Sequence, residues 1–310
     1  MTDTDLTRQQ IRRGWEQTSV YYGDESPQIF QRFAERLVQQ MDWGGVQSVL
    51  DIGSGTGAVA LRVLERITPV GLVVASDFAW GMLSRIHRPD APTAVTLALA
   101  QMDAEHLSFV PESFDRVTCA FSLFQFMDMI RALSEMHRVL KPNGQVGLSN
   151  WASGFFAPVA SMQRNLFRQF GLRPLLPNPI AFAPEQIETM LKQVGFTEIR
   201  SLVEPVELYF SSPQEVWEWN LAMGPFPIML EQQLTPMQQQ ELHHLYLEMV
   251  QPLMTPKGIP CTFYPLYTWR ANQGCHKDHS PPCLRIVDNN LCRKGYEYQS
   301  ELLWHSKSEL

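Results

Sequence analysis

Two hydrophobic rhythms divide this chain. Between residues 7 and 42, apolar positions recur at helical spacing, with Phe30, Phe33, Leu37 and Met41 on one face, and Tyr21-Tyr22-Gly23-Asp24 interrupts the pattern. From Val46 onward, short apolar runs alternate with helical stretches. Val46–Ile52 predicts a buried strand, Ala58–Ile67 a helix, Leu72–Asp77 a second strand, Ala94–Ala100 a third and Val117–Phe121 a fourth. A helix closed by Arg138-Val139-Leu140-Lys141-Pro142-Asn143-Gly144 leads into a fifth strand at Gln145. Such alternation implies a largely parallel sheet with helices on both faces. Ligands then bind beyond the carboxyl ends of the strands.

The alternation breaks over residues 151–182, where Trp151, Phe155, Phe156, Met162, Phe167 and Phe170 crowd a segment rich in Pro and Gly. It resumes with a helix over 184–194, opened by Pro184 and closed by Gly195. A strand over 197–203 and a helical insert over 213–255 follow. Residues 260–271 read as a last, antiparallel strand beside strand five, with Phe263, Tyr267 and Trp269 on one face; Pro265 fits it poorly, because proline cannot donate to a ladder. The expected organisation is an N-terminal helical cap (1–45), a sheet domain (46–272) carrying cap insertions at 151–182 and 213–255, and a polar tail (273–310).

Chemistry concentrates where the first strand ends. Asp51-Ile52-Gly53-Ser54-Gly55-Thr56-Gly57 joins strand to helix. Glycines there admit a ligand close to the main chain, and the helix that follows points its positive end at it. From Gly53 the loop reads G-x-G-x-x-A, which a dinucleotide fingerprint permits. Asp77 ends the second strand, where an acid suits a ribose hydroxyl pair in either class of cofactor.

Three later segments discriminate: Gln101-Met102-Asp103-Ala104-Glu105, Ser113-Phe114-Asp115-Arg116-Val117 and Arg138–Gly144. With D-x-G-x-G-x-G from Asp51, their order and spacing resemble the successive motifs of the class I methyltransferases that use S-adenosylmethionine (SAM). The nearest resemblance is to the ubiquinone/menaquinone-biosynthesis type and related small-molecule enzymes. It is strongest over residues 46–150 and extends loosely to about 272. The resemblance implies a Rossmann-like α/β fold: a seven-stranded, mostly parallel sheet, its last strand antiparallel, with helical cap insertions. It implies SAM as cofactor. Gly53, Gly55 and Gly57 would lie along its methionine part and Asp51 near its amino group. Asp77 would hold the ribose, Phe78 and Met82 would flank the adenine, and Asp103 and the Ala104 N–H would meet the adenine edge. Phe121 and Ser122 would border both cofactor and acceptor. Asn143 stands where the family usually has glycine, and Asn tolerates left-handed turns.

Net charge is −7, from 25 basic and 32 acidic residues, with no Lys/Arg run, so a nucleic-acid partner is not expected. No apolar run reaches the roughly 20 residues of a membrane span, and the acidic, polar N-terminus has no signal-peptide core. A cytoplasmic protein, monomer or homodimer, acting on a small molecule is the expectation. Cys119, inside the fourth strand, reads as a small core residue. The tail groups Cys275, His276, His279, Cys283 and Cys292 without the spacing of a zinc finger, so no metal is expected.

Methyl transfer from a sulfonium is an in-line displacement, and the protein's work is alignment and exclusion of water. A neutral alcohol or carbon nucleophile needs a base. Candidates are His243 and His244 in the helical insert; His106 reads as a loop residue and His137 as structural. Tyr21, Tyr22, Phe124, Trp151, Phe155 and Phe156 are the candidate acceptor-binding residues. Their rings suit a flat apolar substrate by stacking or an ammonium by cation–π attraction. Two alternatives stay open: an NAD(P)-dependent oxidoreductase, against which stands the lack of a Tyr-x-x-x-Lys pair, and a non-catalytic SAM-binding protein.

Overall fold

The computed structural model describes residues 3–20, 22, 28–67, 70–87, 95–174, 178–222, 224 and 226–271. Two helices, α1 (Asp3–Thr18) and α2 (Gln28–Gln39), precede the sheet. Then come β1 (Ser48–Ile52), α3 (Ala58–Leu64), β2 (Gly71–Asp77), α4 (Trp80–Leu83), β3 (Val95–Gln101), β4 (Phe114–Ala120), α5 (Met129–Val139) and β5 (Leu140–Ala152). The second half holds α6 (Val159–Gln169), β6 (Ala181–Phe182), α7 (Pro184–Gln193), β7 (Ile199–Val203), β8 (Val206–Phe210), α8 (Pro213–Ala222), α9 (Phe226–Gln233), α10 (Pro236–Val250), β9 (Ile259–Phe263) and β10 (Pro265–Arg270).

The main sheet runs β3-β2-β1-β4-β5-β10-β7. Strands β1 to β5 pair in parallel, and β10 is antiparallel to both β5 and β7. Apolar residues cover both faces. On one, Leu37 and Val38 of α2 meet Val49, Val63 and Val73; on the other, Met136 and Val139 of α5 meet Val117, Val146 and Leu148. Each such side chain contributes about 1.5–3 kcal/mol by leaving water.

Two expectations need correction. The sheet has eight strands, not seven, because β6 adds a two-residue parallel pairing to Trp151–Ala152 of β5; a two-residue strand is too short to show a period. Residues 260–271 form two strands rather than one. The chain leaves β9 at Tyr264, β9 pairs with β8 in a separate two-stranded sheet, and only β10 lies beside β5. Pro265 opens β10, a position where the missing N–H is tolerated.

Polar joints hold the frame. At the amino ends of the strands, the Asp115 carboxylate accepts from the Ser48 N–H (2.9 Å) and hydroxyl (2.8 Å) and from Lys141 Nζ (2.9 Å). Burial alone would raise its pKa, but the Lys141 and Ser48 bonds bring it down to about 2. Near the same end, where α5 closes, Arg138 donates to the carbonyls of Leu107 (2.9 Å) and Phe109 (2.7 Å), and Glu135 accepts from the Leu107 N–H (2.9 Å). These bonds fix the loop after β3. Asn143 is left-handed (φ 64°), as its side chain permits. No helix among the described residues is long and apolar enough to cross a membrane.

Candidate active site

The strand order reverses between β1 and β4, and a cavity opens there beyond the carboxyl ends of β1 to β5. Its floor is the loop after β1. Gly53, Gly55 and Gly57 all take positive φ (62°, 55°, 86°), which excludes most side chains. A Cβ on Gly53 would collide with the Ser122 side chain, whereas one on Gly55 would enter the cavity and meet only the Met82 methyl at 3.6 Å. Gly57 does not border the cavity. It turns the chain into α3, where a Cβ would press on Ile86 at 3.1 Å.

Asp51, 1% exposed, lies beneath this loop. Its carboxylate accepts from the hydroxyls of Thr118 (2.7 Å) and Ser54 (2.7 Å) and from the Ala60 N–H in the first turn of α3. Burial pushes its pKa up to about 6 against these bonds, with Asp77 adding repulsion. The Asp77 carboxylate accepts from the Gly55 N–H (2.9 Å) and the Ala79 N–H (2.9 Å); burial raises its pKa too. One acid thus ties the glycine loop to the end of β2. Cys119 is fully buried beside Asp51; burial drives its thiol pKa up and keeps it protonated, a core residue as expected.

Phe78 and Met82 border the cavity on the β2 side, and Asp103 and Ala104 border it after β3. Phe121 and Ser122 close the end of β4. Phe121 is held left-handed (φ 52°), costly for a bulky side chain and typical of a site whose surroundings over-determine it.

The roof contains residues that the sequence did not single out. Arg8, Ile11 and Trp15 of α1, at i, i+3 and i+7, share a helical face and border the cavity. Arg8 pairs with Glu105 and lies 3.7 Å from Asp103. The Glu105 carboxylate also accepts from the main-chain N–H groups of Met127 (2.7 Å) and Asp128 (3.2 Å). Trp15 donates its indole N–H to Gln125, and Glu16 accepts from the N–H groups of Trp80 (2.8 Å) and Gly81 (2.7 Å). Amphipathic spacing in α1 was the available signal; the partners lie 64 to 110 residues away and left none.

The acceptor half divides the candidates. Tyr22, Phe124 and Trp151 border the cavity, joined by Phe30 and Phe126. Tyr21 lies outside the described residues. Phe155 stacks on Trp151 behind the wall (5.5 Å, 20°). Phe156 is core, 1% exposed and stacked on Trp219 at 4.7 Å. The base candidates are corrected by position. His243 pairs with Gln214 (2.9 Å) against Trp217, and His244 faces solvent beside Glu248. Neither borders the cavity; the helical insert buries Trp217, Trp219 and Tyr246 in the same core as β4 and β5, away from the cavity mouth. No histidine among the described residues borders the cavity. His106 is exposed near Asp103, and His137 packs on Phe196. Among the described residues no cluster of three metal-ligating side chains exists, and the cysteines and histidines of the tail lie outside them.

Among the described residues, four carboxylates surround the cofactor end of the cavity and a single guanidinium, that of Arg8, borders it. That field suits a cation and repels a pyrophosphate. A SAM molecule, with its sulfonium and ammonium, fits it, and the space a Gly55 Cβ would fill leaves the main chain approachable.

Comparison with known proteins agrees. A family model for the methyltransferase domain matches residues 49–144. The ubiquinone/menaquinone biosynthesis C-methyltransferase UbiE of Geobacter sulfurreducens is 31% identical over 185 residues, 55% of this chain and 72% of that protein. The chain belongs to the class I SAM-dependent methyltransferases, close to the UbiE type. This methyltransferase acts on small molecules with SAM as cofactor, which excludes the oxidoreductase reading. It is also similar to the nocamycin O-methyltransferase of Saccharothrix syringae, 28% identical over 224 residues, 66% of this chain and 78% of that one. A Bacillus halodurans protein assigned to the methyltransferases shares the fold, with TM-score 0.51 and 20% identity over 76% of this chain and 96% of that one.

Proposed function

We propose that this methyltransferase transfers the SAM methyl group to a flat, apolar, aromatic metabolite. The observation that carries this reading is the division of one cavity into an acidic end and an aromatic end, meeting at Phe121 and Ser122. SAM, when bound, supplies an activated methyl on a sulfonium. In our reading Asp77 takes the ribose hydroxyls on the lone pair that its bonds from the Gly55, Phe78 and Ala79 N–H groups leave free. Asp51 faces the amino group through water, Gly53 and Gly55 lie along the methionine part, and Gly57 only shapes the turn. Phe78 and Met82 flank the adenine, and Asp103 and the Ala104 N–H meet its edge. Tyr22, Phe124 and Trp151 orient the acceptor, and α1 excludes water.

The carboxylates bordering the cavity are engaged in hydrogen bonds or ion pairs, and no histidine is near among the described residues. This supports an acceptor that ionises easily, such as a phenol or quinol, over a neutral alcohol needing a base. The relatives' names include a C- and an O-methyltransferase, and oxygen or carbon of such a ring, or an aromatic nitrogen, is the atom we assign. The net charge of −7 without a basic run supports a reading with no nucleic-acid partner. We place the enzyme in the cytoplasm as a monomer or homodimer, which fractionation and light scattering test. For the chemistry, phenols, quinols and amines are incubated with methyl-labelled SAM. Label in phenols, quinols or aromatic amines supports the reading; label confined to aliphatic amines or absent from all of them counts against it.

A further inference from the structure

Trp151, the penultimate residue of β5, is fully buried and still borders the cavity. Protein rings already occupy its π surface: Phe155 stacks on it (5.5 Å, 20°), and Phe121 packs against it at 4.3 Å and 39°. Phe33 and Phe30 meet it edge-on at 5.6 and 6.1 Å. An acceptor therefore finds no open face for stacking or for an ammonium. What the indole retains is its N–H, which has no hydrogen-bond partner. Indole nitrogen can only donate, and orphaned buried donors are rare and costly. The Ser149 hydroxyl, two residues earlier on β5, is also buried without a partner. Ser149 and Trp151 share one face of the strand, and Ala120, the register partner of Ser149, borders the cavity.

We propose that Trp151 is the residue that selects the acceptor, its indole N–H donating to a hydroxyl or carbonyl oxygen on the acceptor ring. The inference rests on the methyltransferase reading of this cavity. The positive N–H edge attracts an oxygen lone pair and repels an ammonium, so it separates oxygen-bearing rings from the cationic acceptors that an aromatic pocket otherwise suits.

The test uses the full chain loaded with S-adenosylhomocysteine. Calorimetry measures 2-naphthol, naphthalene and phenyltrimethylammonium on the wild type and on Trp151→Phe, which keeps a ring and loses the donor. The wild type binds 2-naphthol about tenfold more tightly than naphthalene, and phenyltrimethylammonium no better than naphthalene. In Trp151→Phe the naphthol advantage falls to about one while naphthalene stays within about twofold. Equal binding of 2-naphthol and naphthalene by the wild type, an advantage retained in the variant, or preference for the ammonium overturns the proposal. Should the variant not fold, indole N–H spectra of a Trp15→Phe protein decide: 2-naphthol moves one buried indole signal downfield, and an unmoved spectrum overturns it. Failure of the wild type to bind S-adenosylhomocysteine would instead sink the methyltransferase reading itself.

Discussion

Asp51→Asn separates stability from function at the cofactor site. The wild-type carboxyl is buried completely, and its pKa stands at about 6 against 3.8 for an ordinary aspartate. The folded state therefore holds its proton more tightly than the unfolded state does. The contribution of Asp51 to stability is most favourable at low pH and is lost as pH rises through that window, with a cost near 3 kcal/mol fully expressed at pH 7.5. Asparagine is isosteric and never ionises, and the Ser54 and Thr118 hydroxyls can turn to serve its amide. Thermal melts of the apoprotein should then show the variant melting about 5 °C above the wild type at pH 7.5, with the gap closing toward pH 4. Calorimetry at pH 7.5 should show SAM binding weakened by about 1.5–3 kcal/mol, because a charged partner near the amino group is gone. A variant that melts below the wild type at pH 7.5, or a gap that does not shrink on acidification, refutes the argument that burial, and not the hydrogen bonds, dominates at Asp51.

Other substitutions probe neighbouring parts of the site. Asp77→Ala removes the acceptor for the Gly55 and Ala79 N–H groups and should raise the S-adenosylhomocysteine Kd about 10- to 150-fold; unchanged affinity contradicts the ribose assignment. Gly53→Ala should abolish binding through collision with Ser122, and adding Ser122→Gly should restore part of it, leaving only the left-handed penalty of about 1–2 kcal/mol; no rescue means the collision is not the cause. Arg8→Ala should speed cofactor release by roughly fivefold, since a partly exposed ion pair is worth about 1 kcal/mol; stopped-flow rates equal to wild type would show that α1 is held by other contacts. His243→Gln and His244→Ala should leave kcat within about twofold, and a large loss in either would return a base to the helical insert.

Legibility from sequence followed the range of each interaction. The glycine loop, the acids at Asp51, Asp77 and Asp103 and the parallel core are local patterns of strand, turn and helix, and in the fold the loop and the three acids border one cavity. Gly57 turns the chain beside Ile86 instead of bordering the cavity, and a glycine needed for backbone angle looks identical in sequence to one needed for space. The single strand expected over 260–271 failed at Tyr264, where alternation continues through a change of sheet that only tertiary pairing reveals. His243 and His244 illustrate the same limit: a helical insert shows which face is apolar, not which cavity it meets. The Arg8–Glu105 and Trp15–Gln125 contacts join segments about a hundred residues apart, and nothing local marks them.

The central claim is that the acidic end of the cavity is a SAM site. Calorimetric titration of the purified protein at pH 7.5 with SAM, S-adenosylhomocysteine and NADH tests it most directly. Saturable one-site binding of the first two, with NADH silent, is the predicted result; binding of NADH without SAM would contradict it.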